Sequence, residues 1–457
     1  MTAVELQTVT ERQRTFFADG GTRDIKTRVS SLAALRREIL SRESEILTAL
    51  LLDLGKSAFE AYATEIGIVL DEIKYALRHI YKWSADKRVP SPLKQFPSHS
   101  FIRPEPYGSV LIMSPWNYPF QLTLAPLIGA VAAGNCVIVK PSAYSPATSA
   151  VIQKILGSVF APEHVFAALG GREENALLLS HKFDYIFFTG SVAVGKTVMA
   201  AAAANLTPVT LELGGKSPCI VDDTADIALA ARRIVWGKFV NAGQTCVAPD
   251  YLLVHKSVKR ALIGEMTACI ERFFGENPLT SDHLCKMINE KHFDRVRRLI
   301  DGENVAVGGD CNVAALKIAP TLLDSVDWNA PVMQDEIFGP VMPVVEFDDL
   351  ADALDNVRAR PHPLALYIFT RSKRNERLAL NSVSFGGGCV NDTLVHLATS
   401  HMPFGGVGDS GTGGYHGKAG FDTFTHRKSI MKKSLLLDMP FRYPPYKDSA
   451  LRLLKKL

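Results

Sequence analysis

The amino-acid sequence predicts an α/β protein in which a parallel sheet wound with helices is followed by a second α/β unit. Three observations predict it. From Gly108 to Gly215, short β-rich runs alternate with helical runs, as crossover helices between parallel strands require. Beyond Gly215 a second series of helices and strands begins. The chain has 457 residues, 47% of them hydrophobic, enough to bury the cores of two or three domains.

In chain order, the first hundred residues read as helices. Apolar residues recur at helical spacing in VSSLAALRREILSRESEILTALLLDLG and again in AFEAYATEIGIVLDEIKYALRHIYKW. Lys87 to Pro106 then carries five prolines, which suits an extended arm or hairpin outside the core. Five strands follow, the first four each with a helix: SVLIMS with LAPLIGAVAAG, CVIVK with SPATSAVIQKIL, HVFAALG with ENALLLSHKF, YIFFTG with KTVMAAAAANL, and lastly TPVTLELGG. A sheet of this kind is the dinucleotide type. The second unit contains DIALAARRIVWGKFVNAG, YLLVHKSVKRALIGEMTACIERFF and IFGPVMPVVEFD, and closes on the glycine-rich FGGGCVNDTLVHLATSHMPFGGVGDSG.

Composition narrows the partners. The net charge of +4 is too slight for a nucleic-acid footprint, so a small molecule is the expected partner. Seven scattered cysteines, without a C-x-x-C pair or a histidine at metal spacing, argue against a disulfide framework and against any metal site. The N-terminus lacks a signal-peptide core, and a reducing, cytoplasmic location is expected. Tyr107 to Val139 carries no charge, but Pro115, Pro119 and Pro126 interrupt it, and Asn117, Gln121 and Asn135 would be unsatisfied in lipid. It reads as buried strand, loop and helix rather than as a membrane span. The tail after Lys433 is too short and too charged to span, and its last turns read as a basic surface helix.

One motif misleads. FFTGSVAVGKT satisfies the triphosphate-loop pattern G-x-x-x-x-G-K-[ST] from Gly190 to Thr197. Val192 and Val194 are β-branched, however, and resist the conformations that wrap backbone N–H groups around an anion. The sequence therefore argues against a triphosphatase.

Four stretches carry the chemistry: PWNYP at 115–119, LELGGKSP at 211–218, GQTC at 243–246 and EIFGP at 336–340. In this order and spacing the chain resembles the aldehyde dehydrogenase superfamily. APDY after the cysteine and the C-terminal RYPPY make it most similar to the class 3 branch. The resemblance implies oxidation of aldehydes to carboxylic acids with NAD or NADP, through a thiohemiacetal and a thioester. It implies a Rossmann-like cofactor domain (1–86 and 107–214), a catalytic domain (215–426) and an oligomerisation arm and tail (87–106 and 427–445) that make a homodimer.

Cys246 is the expected nucleophile, with a thiol pKa below the free value of roughly 8.5. Asn117 would hold the oxyanion beside the backbone N–H of Cys246. Glu212, at the end of the last wound strand, would be the base that activates the deacylating water. For the cofactor, the resemblance implies Lys140 on the adenosine ribose, Gly190, Ser191 and Gly195 at the pyrophosphate, and Glu336 on the nicotinamide ribose with Phe338 beside it. Ala143 stands where the family often has glutamate, so strict preference for NAD is not expected. Tyr62, Tyr118 and Trp236 would line an aromatic tunnel suited to medium-chain or aromatic aldehydes.

Overall fold

The computed structural model describes residues 2–456. Helices α1 (Ala3–Ala18), α2 (Ile25–Ser41) and α3 (Glu43–Leu54) come first; a π-helical turn, Tyr62–Ile66, then leads into α4 (Gly67–Ser84). The wound sheet follows. It contains β3 (Ser109–Met113), β4 (Cys136–Lys140), β5 (Val165–Ala167), β6 (Tyr185–Thr189) and β7 (Val209–Glu212), preceded in the chain by β1 (Lys87–Val89) and β2 (Ser98–Pro106) of the arm. Helices α5 (Gln121–Ala133), α6 (Pro146–Val159), α7 (Arg172–Ser180) and α8 (Val192–Ala203) make the crossovers.

Alternate residues of one strand serve opposite faces of this sheet, as a two-residue period demands. Val110 and Ile112 of β3 join the core built with Leu35, Ile39, Ile73 and Leu124 of the flanking helices. Leu111 and Met113 join a second core with Leu6, Ile186, Phe188 and Val198. Both faces are covered, which explains why the strands read as continuous apolar runs. The uncharged segment from Tyr107 is β3 and α5, and every residue of α5 is buried. Among the described residues no helix is long and apolar enough to cross a membrane.

In the second sheet, β8 (Pro218–Val221) and β9 (Tyr251–His255) flank α9 (Ile227–Phe239); β10 (Val305–Val307), β11 (Thr321–Leu323), β12 (Val341–Phe347), β13 (Ala365–Phe369) and β14 (Gly387–Val390) follow. The strand order is β10-β11-β12-β9-β8-β13-β14. Two late strands return to earlier parts of the chain. The short β15 (Gly411–Thr412) pairs antiparallel with β7, giving the first sheet the order β15-β7-β6-β3-β4-β5. The nine-residue β16 (Thr425–Lys433) pairs along the whole of β2, from Thr425 opposite Pro106 to Lys433 opposite Ser98.

The arm is therefore a three-stranded sheet, β1-β2-β16. Pro104 and Pro106 fit in its middle strand because β1 pairs only with residues 100–102, leaving the N-side of the prolines without a ladder to complete. Beyond it, Leu435 and Leu436 are fully exposed, and a short helix, Asp448–Leu454, ends the described chain.

The order of the first sheet fixes where a ligand goes. Connections run outward from β3 through β4 to β5, then switch to β6 and β7 on the other side of β3. Open wound sheets bind ligands at such a switch point, outside the carboxyl ends of the strands. Here those ends are Pro115-Trp116-Asn117 after β3 and Gly190-Ser191 after β6.

Candidate active site

At this switch point lies a cleft of about 930 Å³ whose lining includes Asn117, Gly190, Ser191, Glu212, Cys246, Glu336 and Phe338. The loop that delivers Cys246 is unusual. After α9 the chain passes through three consecutive left-handed residues, Asn241 (φ 53°), Ala242 (φ 51°) and Gly243 (φ 71°). Such conformations are disfavoured for residues with a Cβ, so surrounding contacts must hold them. They do. Asn241 Nδ2 donates to Asn117 O at 2.8 Å and to Gln244 O at 3.1 Å. Gln244, fully buried, donates through Nε2 to Asn241 O at 3.0 Å and Lys286 O at 3.1 Å, while its Oε1 accepts from Ile288 N at 3.0 Å.

The neighbours of Cys246 are pinned as well. Thr245 Oγ1 lies 2.7 Å from Tyr118 Oη, and Tyr367 Oη donates to Val247 O at 2.6 Å. Asn117, 2% exposed, donates through Nδ2 to Gln244 O at 3.1 Å. That bond turns its amide toward the Cys246 loop, and an amide nitrogen carries a second hydrogen for another acceptor.

The electrostatics correct one expectation. The Cys246 thiol is pushed up rather than down: burial dominates, and the Glu336 and Glu212 carboxylates add to it. The backbone N–H groups of Cys246 and Val247 pull the other way, but more weakly. Glu212 ends β7 with both carboxyl oxygens buried and without a hydrogen-bond partner among the described residues, so burial holds it well above the usual carboxylate range. Burial, and then the charge of Asp250, raise Glu336 to about 8, against the opposing pull of the Gly215 N–H, Lys216 and Arg295.

Glu336 lies so close to the Gly-Gly of LELGG that a Cβ on Gly214 would stand 2.1 Å from its Oε2. Only glycine admits that approach. The EIFGP segment is held from below by Arg295, which donates to Glu336 O at 3.3 Å and Ile337 O at 2.5 Å, and by Asp250 Oδ1, which accepts from Ile337 N at 3.0 Å. Phe338 meets the Trp116 ring edge-on at 5.3 Å, and Trp116 contacts the His292 ring at 4.9 Å.

The cleft fits a dinucleotide. Ser191, Val192 and Ala193 bring the N-terminus of α8 to its wall, where unsatisfied N–H groups favour phosphate. Thr189 Oγ1, His292 Nδ1 and Glu336 Oε1 are buried polar atoms of the lining without a hydrogen-bond partner among the described residues, as groups awaiting a polar ligand would be.

Five expected residues stand outside the lining. Gly195 is buried beneath Leu213, whose Cδ2 would be 2.6 Å from an added Cβ; it lets α8 pack on the sheet. Lys140 is buried and donates to Pro141 O at 2.8 Å. Tyr118 braces Thr245, while Tyr62 and Trp236 are each 43% exposed. Conversely, Lys196, His292, Arg295, Arg360 and Asp409 line the cleft without having been expected. Lys196 lay within the quoted GKT, whereas His292 and Arg295 sit in a polar helix, Glu290–Arg297, that carries no motif.

Comparison with known proteins identifies the family. The family model described as "Aldehyde dehydrogenase family" matches residues 2–430. The chain is 49% identical over 436 residues to 4,4'-diaponeurosporen-aldehyde dehydrogenase of Staphylococcus aureus, covering 95% of each. It is 45% identical over 446 residues to aldehyde dehydrogenase family 3 member B1 of Mus musculus, covering 97% of this chain and 95% of the relative. Among solved structures, the substrate-bound state of Staphylococcus aureus AldH superposes with a TM-score of 0.97 at 46% identity over 99% of both chains. An indole-3-acetaldehyde dehydrogenase of P. syringae in complex with NAD+ gives 0.87 at 26% identity, over 94% of this chain and 89% of its own.

Proposed function

Because the chain belongs to the aldehyde dehydrogenase family and is an NAD(P)-dependent enzyme that oxidises aldehydes, we propose that Cys246, Asn117 and Glu212 perform the chemistry and that the cleft at the switch point holds the cofactor. The observation that carries this reading is the convergence, in one cleft, of a thiol, an oriented amide and two carboxyl groups of raised pKa.

The steps follow from the groups present. Cys246 gives its proton to water in the cleft, the thiolate Sγ bonds to the aldehyde carbon, and the electron pair of the C=O π bond moves onto the oxygen, which takes the negative charge. The second hydrogen of Asn117 Nδ2 and the N–H of Cys246 receive that oxyanion without reorganising, since the amide is already fixed on Gln244 O. Oxidised NAD or NADP, when bound, supplies the acceptor for the hydride that the tetrahedral carbon expels. The thioester left on Cys246 is attacked by water whose proton the ionised form of Glu212 takes; the C–S bond breaks with its electron pair returning to sulfur as thiolate, and the carboxylic acid leaves.

The raised pKa values describe the protein alone. Burial raises the thiol and both carboxyls, and Glu336 and Glu212 raise the thiol further, because each ionisation would add a negative charge to one buried site. Proton loss from Cys246 then awaits a positive charge or a donor brought in by ligands.

Glu336 and Phe338 contact the nicotinamide half in this reading, and Gly190 and Ser191 the pyrophosphate, with Lys140 toward the adenosine ribose and Gly195 supporting the helix. Residues 1–86 with 107–214 form the cofactor domain, and 215–426 the catalytic domain. The arm and tail (87–106 and 427–445) support a homodimer, because they leave a strand edge and Leu435 and Leu436 exposed. Seven free cysteines support a cytoplasmic setting. The test is absorbance at 340 nm on mixing the protein with NAD or NADP and a panel of aliphatic and aromatic aldehydes. Cys246→Ala should abolish turnover while cofactor affinity stays within about twofold; turnover in that variant would refute the assignment.

A further inference from the structure

Behind the cleft lies an ion pair that the mechanism does not use. Lys56, just after α3, and Glu65, in the π-helical turn, both have side chains wholly removed from solvent, and Lys56 Nζ lies 2.5 Å from Glu65 Oε1. A π-helical turn inserted into a run of α-helix often marks a functional site. The remaining contacts of the pair all go to one five-residue segment. Glu65 Oε2 accepts from Phe120 N at 2.8 Å and Gln121 N at 3.3 Å. Lys56 Nζ donates to Asn117 O at 3.2 Å and sits 4.0 Å from the centre of the Tyr118 ring.

The far side of that segment touches the thiol loop. Asn117 O shares its second lone pair with Asn241, Asn117 Nδ2 holds Gln244 O, and Tyr118 Oη holds Thr245 Oγ1. A buried ion pair is often no better for stability than apolar residues of the same volume. Its placement here serves geometry: the backbone of Asn117–Gln121 is gripped at both ends by one pair of charges.

We propose that Lys56 and Glu65 are positioning residues, whose ion pair fixes the segment Asn117–Gln121 and thereby holds the Asn117 amide at the oxyanion and Tyr118 on Thr245. This rests on Asn117 being the oxyanion donor. A misplacement of about 1 Å at a reacting group costs on the order of a hundredfold in rate, and that is the slowing expected when the pair is removed.

The test uses Lys56→Met/Glu65→Gln, which removes both charges so that neither is left buried alone. In a Glu212→Gln background, where deacylation is slow, the rate of hydride transfer, the burst amplitude and the cofactor Kd are measured together. The burst should remain near one equivalent and Kd within about twofold, while the rate per active site falls about a hundredfold. A fallen amplitude with an unchanged rate per active site would mean that the pair only stabilises the fold, and would overturn the proposal. So would a rate within threefold of wild type. If that variant does not fold, Lys56→Gln/Glu65→Gln, which keeps hydrogen-bonding groups, is read by the same criteria.

The same change is then made in an Asn117→Ala background. There it should slow hydride transfer by no more than about threefold, because the amide that it positions is gone. Full slowing in that background would show that the pair acts elsewhere, and overturn the proposal. Asn117→Ala at wild-type rate would instead refute the oxyanion assignment itself.

Discussion

Replacing Gly243 with alanine sets a methyl group against backbone that cannot yield. Its Cβ would stand 2.3 Å from Gly339 O, 2.7 Å from Gly339 C and 3.0 Å from Lys238 O. Ordinary contact begins near 3.4 Å, so the loop must withdraw by about 1 Å. The residue also has φ 71°, which costs alanine roughly 1–2 kcal/mol. Three residues on, that withdrawal moves Cys246 relative to Asn117. A displacement of about 1 Å at a reacting atom is worth on the order of a hundredfold, or about 2.7 kcal/mol of transition-state stabilisation. The first sheet and the α8 N-terminus are untouched, so cofactor affinity should change by less than about threefold. Single-turnover mixing in a Glu212→Gln background, with saturating aldehyde and NAD, should therefore show the 340 nm burst slowed about a hundredfold, with cofactor binding retained. A burst within threefold of wild type would refute the claim that this loop needs a residue without a side chain to aim the thiol.

Three further outcomes are expected. Glu212→Gln should acylate normally, releasing at most about one equivalent of reduced cofactor in a burst before slow turnover; steady turnover at the wild-type rate would remove Glu212 as the base. Glu336 is neutral below its pKa of about 8 and ionised above it. Only the ionised form accepts charge-assisted hydrogen bonds from ribose hydroxyls, so the KM for NAD should fall as pH rises through about 8, and Glu336→Gln should flatten that profile. Wild type should use NADP comparably to NAD, because exposed Ala143 can neither hold a 2′-hydroxyl nor repel a 2′-phosphate. Ala143→Glu should shift kcat/KM toward NAD at fixed ionic strength. A wild-type preference for NAD beyond about a hundredfold, about 2.7 kcal/mol, would show that other residues exclude the phosphate.

Much of the fold was legible because it rests on local pattern. The five wound strands are apolar runs between turn signals, and the two faces of β3 follow from alternation alone. The arm was legible through its prolines; that residues 427–445 go with it came only from the resemblance, since β16 is a charged segment more than three hundred residues from β2 along the chain. Cys246, Asn117 and Glu212 were found because short motifs mark them. The state of the Cys246 thiol was not, because it depends on burial and on Glu336 and Glu212, which only the fold brings near. Lys56 and Glu65 gave no sign either: a lysine after Gly55 and a glutamate on a helix face ordinarily meet water. His292 and Arg295 were hidden for the same reason, in a helix whose polarity suggested nothing but a surface.

The short strand β15 ties Glu212 to a late part of the chain. Gly411 pairs opposite Glu212 itself, and Leu213 N donates to Ser410 O at 3.0 Å. The glycine-rich run that supplies β15 begins beyond β14, the edge of the other sheet, so the chain bridges both sheets and closes on the residue assigned to water activation. Parting the sheets at this edge would break the backbone ladder opposite Glu212. Widening of the cleft at this seam is thereby coupled to displacement of Glu212, so under the proposed mechanism a cleft open to bulk solvent here would also lose the group proposed to activate water.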